Sequence, residues 1–91
     1  MTAKRVTIVN PSGLHARPAS EFVAAAKRFT SKVTIRNAAG EAGAAVNAKS
    51  IVMLLTLGLS KGTEVEISAS GEDEAAAVDA LVTLIASGFG E

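Results

Sequence analysis

Three short stretches of this chain alternate apolar and polar side chains, and two longer stretches repeat apolar side chains at helical spacing. The alternation is clearest at 63–69, where Val65 and Ile67 point one way and the glutamates the other, which is typical of a strand with one buried face. The predicted order is a strand at 6–9, a helix from about 16 to 27 or 28, a strand at 32–36, a short strand near 45–48, a short helix after Ser50, a strand at 63–69 and a final helix ended by Gly88.

These elements predict an α+β fold, an open-faced sandwich of two layers. Strands with one apolar and one polar face need cover on one side only, and amphipathic helices provide that cover. The chain suits a single domain, residues 1–91, because domains commonly run from about 50 to 250 residues. The apolar stripes are Ala19, Phe22, Val23 and Ala26 in the first helix, closed by Phe29, and Val78, Leu81, Val82 and Ile85 in the last.

The only histidine lies where the first helix is predicted to begin. Gly13 permits a tight bend and Pro18 is tolerated in a first helical turn, so His15 falls at the amino end of that helix. Backbone N–H groups there lack partners and the helix dipole is positive, so an anion such as phosphate can bind. Arg17 can add a charge-assisted hydrogen bond to the same anion. Since a neutral imidazole nitrogen can attack phosphorus, we predict that His15 carries a phosphoryl group.

Each of these residues also has a simpler interpretation. His15 could cap the helix or be partly buried, although the glycine, arginine and proline around it favour the chemical role. Arg17 could be a solvated cation, but a positive charge at a helix amino end costs about 0.3 to 1 kcal/mol, so a bound phosphate gives it a reason to be there. Ser12 could bind the phosphate or be an ordinary loop residue, and the sequence favours neither.

Composition argues against several other classes of function. Nine basic and nine acidic side chains balance, and the three aromatic residues are all phenylalanine, which does not fit a nucleic-acid binder. With no cysteine and one histidine, we expect no metal site and no cofactor, and a reducing compartment is favoured. No apolar run follows the basic Lys4 and Arg5, so we expect neither a signal peptide nor a membrane span, and a soluble cytoplasmic protein.

The segment Gly13-Leu14-His15-Ala16-Arg17-Pro18-Ala19 resembles the phosphorylation signature of the HPr family, the histidine-containing phosphocarriers of the phosphoenolpyruvate:sugar phosphotransferase system. The likeness continues through 46–51 and 57–62 to the final helix. It implies four antiparallel strands covered on one face by three helices, in the order β-α-β-β-α-β-α. It also implies phosphorylation of His15 at the δ nitrogen (pros-phosphohistidine). The residues predicted to bind the phosphate are Ser12, Ala16 and Arg17. The glycine- and alanine-rich stretch 37–45, predicted to be a hairpin connection, is about four residues longer than is usual in this family, a length that surface loops tolerate.

The resemblance implies a carrier rather than an enzyme. Enzyme I would phosphorylate His15, and the group would then pass to enzyme IIA domains for sugar uptake, with the carrier acting as a monomer. The apolar run 51–55 is too dense for one buried face of a short helix, so part of it is predicted to form a docking patch. In the alternative, most of the run belongs to the core, Met53 and Leu54 in particular. The predicted partner-binding residues are Lys27, Lys49, Ile51, Val52, Leu55 and Thr56.

Ser50 resembles the serine that an ATP-dependent kinase, HPr kinase/phosphorylase, phosphorylates in some lineages of the family. A phosphate there would add about two negative charges beside the docking patch and weaken docking. The simpler alternative is a cap for the short helix, for which serine is preferred. The two roles are compatible.

Two other functions remain open from the sequence. The first is the related NPr carrier of the nitrogen-regulatory phosphotransferase branch, which the ending Ser87-Gly88-Phe89-Gly90 resembles, whereas Lys27 and the Lys49-Ser50 segment suit the sugar branch. The second is an interaction module in which His15 never carries phosphate. A stand-alone hydrolase is disfavoured because no second histidine could complete a catalytic triad.

Overall fold

Within residues 1–38 and 44–91, which the computed structural model describes, the chain forms four strands and three α-helices in the predicted order. The strands are β1 (Thr2–Thr7), β2 (Lys32–Asn37), β3 (Val46–Asn47) and β4 (Glu64–Ser70), and the helices are α1 (Ala16–Ala26), α2 (Ile51–Thr56) and α3 (Glu74–Ala86), followed by a 3-10 turn at Gly88–Gly90.

The strands form one antiparallel sheet in the order β1-β4-β2-β3. The two central strands turn alternate side chains inward, so that Val33 and Ile35 of β2 are buried with Val65 and Ile67 of β4. The intervening side chains lie on the opposite, uncovered face. The predicted open-faced α+β sandwich is therefore confirmed.

The hydrophobic core fills the space between the sheet and the helices. The stripe predicted for α1 is buried throughout, and its Phe22 is fully enclosed. In α3, Val82 is only half-buried and Ala77 takes a buried place instead. Each large apolar side chain enclosed in this way stabilises the fold by about 1.5 to 3 kcal/mol relative to an exposed one. Burial of this stripe therefore holds α1 firmly against the sheet.

The first strand begins earlier than the sequence predicts. Residues 2–7 pair with β4, whereas Val9 of the predicted strand at 6–9 is 47% exposed beyond its end. The reason is that β1 lies at the edge of the sheet, where cross-strand hydrogen bonds hold a polar segment that has no apolar alternation. The short strand predicted near 45–48 is Val46–Asn47. Of the predicted connection 37–45, residues 39–43 lie outside the described residues.

The start of α3 is tied to the turn between α1 and β2 by one carboxylate. Asp73 occupies the N-cap position of α3 but makes no cap hydrogen bond. Its carboxylate instead accepts hydrogen bonds from the backbone N–H groups of Thr30 at 2.9 Å and Ser31 at 3.0 Å, and from both hydroxyls. These bonds, the Ser31 hydroxyl first among them, lower the pKa of Asp73 to about 2.

Candidate functional site

His15 lies at the N-cap position of α1, at the amino end predicted for it. Its backbone is extended, with φ −131° and ψ 163°, and its half-buried side chain makes no cap hydrogen bond. Among residues 1–38 and 44–91, neither ring nitrogen has a hydrogen-bond partner. The imidazole is therefore available for chemistry and is not used to cap the helix.

The loop before His15 is held by close backbone packing. Gly13 has φ +66°, and a Cβ on it would stand 2.6 Å from the carbonyl oxygen of Leu59 and 2.8 Å from Cα of Ser60. The next residue, Leu14, is fully buried and donates its backbone N–H to that same Leu59 oxygen at 3.0 Å. Only glycine can lie this close to the backbone of Leu59 and Ser60, so the position of His15 depends on Gly13.

The residue after His15 has an unusual backbone. Ala16 has φ +51°, a left-handed conformation that costs a residue with a Cβ roughly 1 to 2 kcal/mol. Strain of this kind is found mostly at functional sites, where the surrounding structure enforces it. The helical pattern of the sequence gave no sign of it, because alanine favours the ordinary helical conformation.

Arg17 and Pro18 complete the first turn of α1. Pro18 is buried and has no N–H to leave unpaired, whereas the first N–H groups of a helix have no partner within it. The Arg17 side chain is 76% exposed and pairs with Glu21 one turn along, Nε to Oε1 at 3.6 Å. An exposed pair of this type is worth about 0 to 1 kcal/mol, so the guanidinium can leave it at little cost.

A carboxylate that the sequence did not suggest lies beside the site. Glu91 Oε1 accepts a hydrogen bond from the backbone N–H of Ser12 at 3.1 Å and another from the side-chain amide of Asn10 at 3.2 Å. The bond from Ser12, with smaller contributions that include the charge of Arg17, lowers the pKa of Glu91. No local pattern could reveal this contact, because 79 positions separate Ser12 from Glu91.

Asn10 links this carboxylate to the loop that carries the histidine. It is buried, and its side-chain N–H groups bond to Glu91 and to the carbonyl of Gly13 at 2.9 Å. Within the described residues its Oδ1 is buried without a hydrogen-bond partner. Asn10 therefore connects Glu91 to the loop before α1.

Ser50 caps α2. Its hydroxyl accepts a hydrogen bond from the backbone N–H of Met53 at 3.3 Å, so the predicted capping role is confirmed. The neighbouring Lys49 is half-buried, and its ammonium donates to the carbonyl of Phe29 at 2.7 Å, just beyond α1. This hydrogen bond links the residue before α2 to the segment that follows α1.

The predicted partner residues lie along α1 and α2, which pack against each other. Val52 and Leu55 are exposed by 68% and 44%, while Leu54 between them is fully buried. Met53, one of the two residues for which a core position was the alternative, is instead exposed. Thr56 is exposed too, and its hydroxyl donates to the Met53 carbonyl. A groove of about 250 Å³ between the two helices is lined by Ser20, Val23, Ala24, Lys27 and Ile51.

The part of the chain that the structure describes contains no group of three or more His, Cys, Asp or Glu side chains able to hold a metal ion. Crossing a bilayer takes about 20 apolar residues in a helix, and no helix of residues 1–38 and 44–91 meets the requirements of length and hydropathy.

Comparison with known proteins gives consistent matches along nearly the whole chain. The family model described as "PTS HPr component phosphorylation site" matches residues 2–87. Phosphocarrier protein HPr of Haemophilus influenzae is 47% identical over 85 residues, which cover 93% of this chain and 95% of that protein. Phosphocarrier protein NPr of Proteus mirabilis is 41% identical over 88 residues, 97% of this chain and 94% of that protein. The crystal structure of HPr-C-His from Thermoanaerobacter tengcongensis superposes with a TM-score of 0.91 at 45% identity, covering 100% of this chain and 98% of that one.

Proposed function

This chain belongs to the HPr family of phosphocarriers of the phosphotransferase system, and from that premise we propose that His15 is the residue that carries the phosphoryl group. The δ nitrogen of the neutral ring attacks phosphorus. A P–N bond forms while the bond between phosphorus and the donor breaks, and the donor keeps that bond's electron pair. Transfer onward reverses these roles, with the acceptor as nucleophile and His15 as leaving group.

The observation that carries this proposal is the uncapped imidazole of His15 at the amino end of α1. A phosphoryl group on that ring would meet the unpaired N–H groups and the positive pole of the helix. Arg17 supports it with a guanidinium held only by a weak, exposed pair with Glu21. Ala16 and Ser12 would contribute backbone N–H groups.

A carrier must bind its cargo only moderately. Each 1.4 kcal/mol of extra stabilisation shifts a transfer equilibrium tenfold, so a strong phosphate site would trap the group. The helix amino end contributes about 0.3 to 1 kcal/mol for an exposed charge. Stabilisation of that size assists acceptance without preventing release, and the remaining chemistry falls to the partner enzymes.

Proteins of this family work with other proteins of the phosphotransferase system. For this chain we propose enzyme I as donor and enzyme IIA domains as acceptors, reached in the cytoplasm by a monomer. Docking would use the exposed Val52 and Leu55, the groove at Ile51, and the cations Lys27 and Lys49 around them. Apolar side chains at the centre of such a surface hold the complex, and charges at its rim steer the encounter.

The test is incubation with enzyme I and labelled phosphoenolpyruvate. Wild-type protein should take up one acid-labile label, and His15→Ala should take up none while keeping its circular dichroism spectrum. Ser50→Ala serves as the matched control and should label like wild type. Label on His15→Ala, or label that survives acid, would contradict the proposal and point to Ser50.

A second candidate is the NPr-type role in the nitrogen-regulatory branch. It is favoured by the NPr relative from Proteus mirabilis, which matches this chain over nearly its full length. The site chemistry would be the same and the partners would differ. Initial rates of phosphate transfer from the enzyme I of each branch, measured side by side, distinguish the two, because transfer from the physiological donor should be the faster.

Ser50 is proposed as a site of regulatory phosphorylation by a kinase of the HPr kinase/phosphorylase type. Its hydroxyl caps α2 and is half-buried, so a phosphate there would keep an acceptor oxygen at the helix amino end and add negative charge beside Ile51 and Val52. Incubation with such a kinase and labelled ATP should give acid-stable label on wild type and none on Ser50→Ala.

A further inference from the structure

The uncovered face of the sheet carries two neighbouring cross-strand pairs of hydrogen-bond donors. In the register between β2 and β4, Lys32 lies opposite Ser70 and Thr34 lies opposite Ser68. All four side chains point away from the helices, because the residues that alternate with them are buried in the core. Opposed residues of a sheet have Cβ atoms about 4.5 to 5.5 Å apart, and same-face neighbours along a strand are about 6.5 Å apart. The four donors therefore form a small rectangle.

This rectangle is the floor of a hollow in the sheet surface. The hollow has a volume of about 330 Å³ and is lined by Met1, Lys32, Thr34, Ser68, Ala69 and Ser70. It exists because the row of the sheet through Ser68 has short side chains, with Ala3 opposite on β1, whereas the next row has the long side chains of Arg5, Glu66 and Arg36. Small-molecule sites have volumes of about 300 to 1,000 Å³, so the hollow suits a small metabolite.

The donors of this hollow are not used by the fold. Within residues 1–38 and 44–91, the hydroxyls of Thr34, Ser68 and Ser70 have no hydrogen-bond partner, and Lys32 forms no ion pair. Thr34 and Ser68 are half-buried, so their hydroxyls are partly shielded from water. Three hydroxyls and one ammonium group are therefore free to bind the same ligand.

The charges around the hollow favour an anion. The Glu66 carboxylate, in the next row, is held between two guanidinium groups, at 2.9 Å from Arg36 Nε and 3.5 Å from Arg5 Nε. Glu64 lies one row further and also pairs with Arg5, at 3.5 Å. These two carboxylates and two guanidinium groups balance, and no carboxylate is among the residues that line the hollow. The charge of Lys32 is left over.

From this arrangement we propose that the uncovered sheet face binds a small phosphate monoester, with Lys32, Thr34, Ser68 and Ser70 as donors to the phosphate oxygens. A phosphate monoester carries about 1.5 to 2 negative charges and three terminal oxygens, which match several donors that converge from different strands. A carboxylate offers one charge and two oxygens, too few for four donors. The organic part of the ester lies in the rest of the hollow, against Met1.

This site is separate from the phosphoryl site proposed above. His15 lies at the amino end of α1, and the helices cover the opposite face of the sheet. Binding at the hollow therefore requires neither His15 nor enzyme I, and it can be measured on the unphosphorylated protein.

The test is a titration of the isotope-labelled protein, followed by amide NMR, with glycerol 3-phosphate as the probe. Inorganic phosphate and glycerol are the comparison compounds, and chloride keeps the ionic strength constant. Glycerol 3-phosphate should shift the amides of residues 32–34 and 68–70 saturably, as one site. Inorganic phosphate should bind the same residues more weakly, because it has no organic part, and glycerol should not bind. Amides 12–17 report separately on any phosphate at the amino end of α1.

Two substitutions remove donors from the hollow. Lys32→Met should weaken binding at least about tenfold, the effect of one hydrogen bond to a charged group, and Thr34→Val should weaken it several-fold by replacing a hydroxyl at nearly constant volume. The matched controls are Lys61→Met, at an exposed lysine without an ion pair in the described part of the chain, and Thr7→Val, on the same face beyond the hollow. Both controls should bind like wild type, and all four should keep the circular dichroism spectrum.

The results decide the proposal in either direction. Shifts confined to the hollow, and weakened only by the two substitutions within it, support the site. Equal weakening by Lys32→Met and Lys61→Met, or shifts at every exposed lysine, would show non-specific attraction of an anion and overturn it. Tighter binding of inorganic phosphate than of glycerol 3-phosphate would refute the ester, and absence of any saturable shift would refute the site. Labelling of His15 by enzyme I tests the carrier role independently.

Discussion

The close approach of Gly13 to the 59–60 backbone gives the sharpest test of how the site is held. Gly13→Ala would place a Cβ 2.6 Å from the Leu59 oxygen and 2.8 Å from Cα of Ser60. Both are backbone atoms that cannot rotate away. The left-handed φ costs about 1 to 2 kcal/mol and the overlap about 1 to 3, while a less flexible unfolded chain returns about 0.4 to 1. We expect a net loss of about 1 to 5 kcal/mol in the free energy of unfolding.

Gly58→Ala is the matched control for this substitution. Gly58 has nearly the same φ, +59°, but nothing lies within 4 Å of a Cβ placed there. It should lose only the backbone contribution, about 1 kcal/mol. The difference between the two variants isolates the overlap at the site.

Urea unfolding followed by far-ultraviolet circular dichroism is the appropriate assay, since the chain has no tryptophan or tyrosine to report by fluorescence. A chain of 91 residues is expected to unfold at a cost of about 5 to 14 kcal/mol, so the loss is measurable. Gly13→Ala should also accept phosphate from enzyme I more slowly than Gly58→Ala. Equal free energies of unfolding for the two variants would refute the argument that this approach holds the site loop.

Three further predictions concern stability. Asp73 has a pKa of 3.8 in the unfolded chain and about 2 when folded, so its stabilising effect is present above pH 4 and is lost as the pH falls toward 2; the free energy of unfolding of wild type should fall over that interval more steeply than that of Asp73→Asn, and parallel curves would contradict the stabilising role of this carboxylate. Ala16→Gly should raise the free energy of unfolding by up to about 1 kcal/mol, because glycine tolerates φ +51°; a fall in that free energy would show that Ala16 is unstrained. Ser50→Ala should lower it by about 0.5 to 2 kcal/mol through the lost cap on the Met53 N–H, whereas Ser50→Asp, which keeps a capping oxygen, should lose less.

The spacing of apolar residues correctly predicted the helices and strands whose buried face is set by their own sequence. The stripe from Ala19 to Ala26 specified α1 and its buried face, and Gly13 with Pro18 located the amino end at His15. The alternation in β2 and β4 likewise specified which side of each strand is buried. In each case the buried residues recur with the period of the helix or strand that contains them. The element can therefore be predicted from residues only a few positions apart.

The missed features depend on residues distant in sequence. The carboxylates of Asp73 and Glu91 reach partners 42 and 79 positions away, and no spacing rule connects them. The left-handed Ala16 runs against its own propensity, since tertiary packing sets that angle. The early start of β1 was missed because an edge strand is specified by its neighbour's hydrogen bonds and not by its own pattern.

The strand order has a consequence for how this protein is made. β1 is hydrogen-bonded to β4 and, among the described residues, to no other strand. In the loop before His15, the backbone N–H of Leu14 donates to the carbonyl of Leu59. During synthesis the histidine therefore emerges long before the segments that shape its surroundings. Such distant pairings slow folding, so a ribosome-bound chain lacking residues 59–70 has an imidazole without the segments that position it, and phosphate acceptance should begin only after those residues have been synthesised.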